Sequence, residues 1–154
     1  MDWVSLGAGG IIGFLSSLGV LIVTRWLERR DQRRVSLGWL RVEIERSLDR
    51  LRIFQEKEPE WRGPPLLLEI NFPQFRDEAY QALIQRLPVS SQDKELLKRV
   101  ASFYERLDMI EFLRQRFNER EPAGKPESLD NLMRAIRAAQ FEGEALLKAL
   151  EKVG

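Results

Sequence analysis

The stretch from Trp3 to Trp26 reads WVSLGAGGIIGFLSSLGVLIVTRW, and no charged residue stands between Asp2 and Arg25. As a helix, the residues from Val4 to Thr24 span about 31 Å, close to the hydrocarbon thickness of a bilayer. A tryptophan stands at each end, where the aromatic belts of membrane helices lie. The strong apolar residues of the run favour membrane insertion by about 3 to 7 kcal/mol, and its glycines and serines offset part of that. The run therefore predicts one transmembrane helix. Two other readings compete with it. A buried core helix of a soluble protein is rarely apolar on all sides over such a length. A cleaved signal peptide wants a basic start, whereas this chain starts Met1-Asp2.

The flanks set an expected orientation. Asp2 precedes the run, and Arg25, Arg29, Arg30, Arg33 and Arg34 follow it, opposed by Glu28 and Asp31. By the positive-inside rule the basic flank lies in the cytoplasm, with the N-terminus outside. Trp3, Trp26 and these five arginines are the expected membrane-interface residues. The cations can also meet anionic headgroups, although a topology signal alone explains them. Within the run, Ser5, Gly9, Gly13 and Ser17 recur every four residues and form one small-residue stripe. Such a stripe lets another helix approach closely, whether from a second copy or from a different membrane protein.

The expected division is a transmembrane anchor over 1–27, a basic juxtamembrane segment over 28–35 and a cytoplasmic helical domain over 36–154. Outside the flank, the acidic and basic residues nearly balance, so the domain carries no electrostatic footprint for nucleic acid. The chain has no cysteine and no histidine. Without histidine it lacks the commonest general base and metal ligand, and the Glu-x-x-His ligand pairs of di-metal bundles cannot form. No glycine-rich phosphate loop follows a strand pattern, and no serine has a histidine partner. The expectation is a protein without catalytic residues, cofactor, metal or evident small-molecule substrate.

The domain reads as all-α. Leu37, Leu40, Ile44, Ser47, Leu51 and Phe54 form a seam at alternating three- and four-residue steps, with Val35, Trp39 and Val42 widening its apolar face. That helix is expected to end near Lys57, before Pro59. The segment 58–72 has the prolines of a break and reads as an ordered loop. Its Trp61 is either a partner contact or a side chain packed onto the domain. A third helix is expected from about Pro73 to Arg86, capped by Asn71. A fourth follows the Ser90–Asp93 start signal to about Glu119, with the seam Leu96, Val100, Phe103, Leu107, Ile110, Leu113 and Phe117. A turn at 121–126 leads to a fifth, with the seam Leu129, Leu132, Ile136, Ala139, Gly143, Leu146, Leu150 and Val153. Ala139 and Gly143 make a shallow spot that Phe103 or Phe117 can fill. These helices predict an up-down-up-down four-helix bundle, or an elongated helical hairpin with the short third helix as a bracket. The function expected is that of a single-pass accessory or scaffolding subunit of a membrane complex. The alternative is a self-associating protein that permeabilises the membrane.

Overall fold

A computed structural model describes residues 3–63, 69–71, 75, 77–86 and 91–152, with the side chains of 3–19, 83, 86 and 91–93 outside that description. Every regular element among the described residues is helical: α1 (Trp3–Glu56), α2 (Glu58–Arg62), α3 (Glu78–Arg86), α4 (Ser91–Glu119) and α5 (Lys125–Glu151), with a 3-10 turn at Pro122–Gly124. The chain divides into two compact units, Met1–Val35 and Ser36–Gly154. Among the described residues, no helix is long and apolar enough to cross a membrane. Most of the run from Val4 to Thr24 lies among the residues whose side chains are not described.

In the second unit the core is made by the three seams. Leu37, Leu40, Ile44, Ser47, Leu51 and Phe54 of α1 are buried, together with Leu48. The α4 and α5 seams are buried too, except that Leu113 is only partly covered; Val153 lies outside the described residues. Full burial of a large apolar side chain stabilises by about 1.5–3 kcal/mol, so the regular seam spacing turns directly into packing energy. Gly143 settles the shallow spot. A Cβ there would stand 2.7 Å from both Leu48 Cδ2 and Phe103 Cε2. Phe103 fills the site with Leu48, while Phe117 packs beneath Lys125, whose ammonium lies 5.1 Å from its ring centroid. The buried Lys125 stem thus closes the turn between α4 and α5.

Contacts between sequence-distant residues give the directions. Arg41 of α1 pairs with Glu151 at 3.2 Å, and Arg62 of α2 with Asp130 at 2.7 Å. The C-terminal end of α5 therefore lies beside the start of the α1 seam, and its N-terminal end beside α2. α5 runs antiparallel to α1, and Gln55 bonds Gln140 between these two points. The chain then returns: by Ala79 it is back beside Glu43 of α1. The downward limb between α1 and α4 thus contains short α3, and the three long helices carry the bundle.

Three expectations are corrected. Val35, Trp39 and Val42 do not widen the buried face; all three are exposed, Trp39 by 64%. Each helical step turns about 100°, so Trp39, one residue before Leu40, already points away from the core. The third helix begins at Glu78, not near Pro73, and Asn71 does not cap it. Its leading amide is instead satisfied by a side chain from another helix. The segment 58–72 is not all loop, because Glu58–Arg62 forms a helical turn with proline in its first turn.

Candidate functional site

The residues expected to meet a membrane fall on α1. Ser5, Gly9, Gly13 and Ser17 lie on its helical backbone, and their side chains, like that of Trp3, are outside the description. From Val20 onward the side chains are described. Val20, Leu21, Ile22 and Val23 are all exposed, by 50 to 67%. Four consecutive positions at about 100° per step sample the whole circumference, so this part of the helix is apolar and open on every side. The Thr24 hydroxyl donates to the Val20 carbonyl at 2.8 Å. It therefore presents no unsatisfied donor to apolar surroundings. Trp26 is exposed, and the Arg30 guanidinium lies 5.5 Å from its ring centroid. Arg25, Arg29 and Arg34 are exposed and Arg33 is half-buried.

Trp61 packs onto the domain. It is buried, and its ring meets Phe54 edge-on at 5.8 Å. The proline-bearing turn of α2 carries it back over the end of α1. Phe75 stacks on the same Phe54 at 6.4 Å. An ion network holds α2 in place. Glu58 accepts from Arg62 at 2.7 Å and from Arg137 of α5 at 3.0 Å, and Arg62 reaches Asp130. The hydrogen bond from Arg62 chiefly draws the Glu58 carboxyl below its ordinary value.

Two polar clusters hold the long connection to the bundle. Ile70 is buried, and its backbone is held from both sides. Its N–H donates to Asn118 Oδ1 at 2.9 Å, and its carbonyl accepts from Arg114 Nη1 at 2.8 Å and Asn118 Nδ2 at 3.1 Å. Glu111 accepts from Arg114 Nε at 3.1 Å and orients it. The second cluster centres on Glu43. The Ala79 N–H donates to Glu43 Oε2 at 2.9 Å, and the Tyr104 hydroxyl donates to Glu43 Oε1. Tyr80 stacks on Tyr104 with centroids 4.8 Å apart. Glu43 thereby caps α3 from α1, placing a carboxylate where the helix has free N–H groups. Burial raises the Tyr104 hydroxyl well above the ordinary tyrosine value, and the carboxylate beside it adds to the rise.

Sequence reading takes Glu43 for one more carboxylate on a charged helix face, beside Ser47. Its signal is position: it stands between Leu40 and Ile44, at the edge of the buried seam. The observed ion pairs include Arg41–Glu45 and Arg52–Asp49. Ser47 spends its hydroxyl on the Glu43 carbonyl at 3.0 Å. Phe141 is the other feature missed. It lies off the α5 seam and is exposed by 78%. Among the described residues, no group of three or more carboxylates is disposed to hold a metal ion. The clusters present bind parts of the chain to one another, and the open features are apolar surfaces. The chain matches no protein-family model, no curated protein and no solved structure.

Proposed function

We propose that this chain is a non-catalytic single-pass membrane protein, an accessory, scaffolding or assembly subunit of a membrane complex. The reading is carried by the exposure of Val20 to Val23 around the whole helix, continuing the charge-free run that begins at Trp3. An apolar cylinder of this length is stable when lipid surrounds it. The basic flank from Arg25 to Arg34 supports a domain on the cytoplasmic side. Ser5, Gly9, Gly13 and Ser17 form the face on which a second membrane helix docks, and the helical bundle holds a partner beside the bilayer.

The test is gentle detergent extraction followed by identification of the chains that travel with the protein. Gly9→Leu and Gly13→Leu are expected to abolish co-purification of the partner. Unchanged co-purification removes the stripe from the reading. Recovery of the chain alone, at an integer multiple of 18.0 kDa, replaces the accessory subunit by a self-associating membrane protein, for which ion leakage on overexpression is the further sign. Release of the whole chain into the soluble fraction on membrane washing overturns both.

A further inference from the structure

The outward face of α5 carries an open apolar surface. Phe141 is the most exposed large apolar side chain among the described residues. Ala138 and Ala145 lie about one turn to either side of it, and both are exposed. With Arg99 and Arg106 of α4, these residues line an open groove of about 400 Å³ between the two helices. Arg106 is already engaged with Glu142 across that groove.

The charges follow the same register. Arg134 and Lys148 stand seven residues before and after Phe141, and Lys152 continues the row of Ala138 and Ala145. Each seven-residue step places a cation about 10.5 Å along the helix from the aromatic ring. Arg134, Lys148 and Lys152 are exposed and make no ion pair among the described residues.

We infer that this face docks an amphipathic helix of a partner protein, whose apolar stripe covers Phe141 and whose carboxylates, two turns to either side, meet Arg134 and Lys148. Two helices with small residues between them leave a groove into which the ridge of a third can settle. A second copy presenting this same face does not fit. Antiparallel pairing centred on Phe141 sets Arg134 against Lys148 of the other chain, cation against cation. A bilayer is flat and cannot fill a groove between helices.

This inference rests on reading the chain as an interaction protein, but it concerns a different surface from the anchor. Gly9→Leu and Gly13→Leu leave α5 intact, so either proposal can fail without the other. The experiment uses the full chain in phosphatidylcholine nanodiscs and a fluorescent designed helical peptide. The peptide carries a leucine stripe with glutamates seven residues to either side of its centre; a control carries lysines there. The glutamate peptide is expected to bind saturably and the lysine peptide not to. Phe141→Ala should weaken binding about tenfold or more. Arg134→Glu with Lys148→Glu should exchange the preference between the two peptides, a result that general loss of structure cannot produce. Failure of the glutamate peptide to bind, equal binding of both peptides, or affinity indifferent to these substitutions overturns the inference. So does Phe141-dependent binding to phosphatidylserine vesicles in place of the peptide, which would assign the face to lipid.

Discussion

Helix α1 carries apolar residues along two stretches that end in opposite surroundings. From Val20 to Leu27 its large apolar side chains are exposed, whereas from Leu37 to Phe54 the seam residues are 0 to 7% exposed. The residue types are similar, so hydrophobicity alone does not distinguish them. Periodicity does. Downstream of Ser36, apolar residues return every three or four positions, and one side of the helix meets α4 and α5. Upstream they fill consecutive positions, and one neighbouring helix cannot cover a cylinder on all sides. On the proposed reading the first stretch is matched to a surrounding lipid medium; the second meets a partner surface within the chain.

The largest expected effect tests the buried stretch directly. Phe54→Ala removes the ring on which Trp61 and Phe75 pack and should cost about 3–5 kcal/mol in urea unfolding of the detergent-solubilised chain, read by circular dichroism. Leu21→Ala, in the other stretch, should leave that transition where it was. Equal effects of the two would erase the contrast. Next comes Gly143→Ala, expected to destabilise by about 1–3 kcal/mol because its new methyl group collides with Leu48 and Phe103. A shift toward greater stability would show that α1, α4 and α5 pack more loosely at this level than their contacts indicate.

A smaller effect reports on the link between α1 and α3. Tyr104→Phe loses the hydrogen bond to Glu43, at about 1 kcal/mol. The pH dependence has a definite sign. A hydroxyl whose proton is held more tightly in the folded state contributes stability that is complete below the unfolded value near pH 10 and is lost as pH rises beyond it. Unfolding of the native chain should therefore become steeply easier above about pH 10, and Tyr104→Phe should blunt that slope. Parallel alkaline profiles would detach Tyr104 from the effect. The smallest change lies where α1 enters the second unit. A Cβ on Gly38 meets nothing within 4 Å, so Gly38→Ala should stabilise by up to about 1 kcal/mol through helix propensity alone. Set beside Gly143→Ala, it gives one substitution with opposite signs in two helices.

Much of the bundle was legible in the chain because its seams repeat at helical spacing, and prolines bound its segments. The α4 and α5 seams fell where their spacing put them. Trp39 was misplaced because a large apolar residue beside a seam looks like part of it until its rotation about the helix is counted. The start of α3 was misplaced for a different reason. Asn71 is a reasonable cap by type, but Asn118 and Arg114 hold the backbone of its neighbour Ile70, and Glu43 supplies the capping carboxylate from another helix. Side chains brought in from distant positions leave no local trace.

What the sequence determined by itself is therefore the set of properties that depend on spacing along one helix: which long segments coil, where they stop, which residues form the seams, and that the run at the start carries no charge. What only the tertiary structure decided is which seam residues meet across helices. It put Phe103 and not Phe117 over Gly143, buried Trp61 on Phe54, joined Glu43 to Ala79 and Tyr104, and left Phe141 open. Helical periodicity is a local rule and can be read from neighbouring residues, whereas these pairings depend on the relative rotation and depth of packed helices, which no single segment encodes.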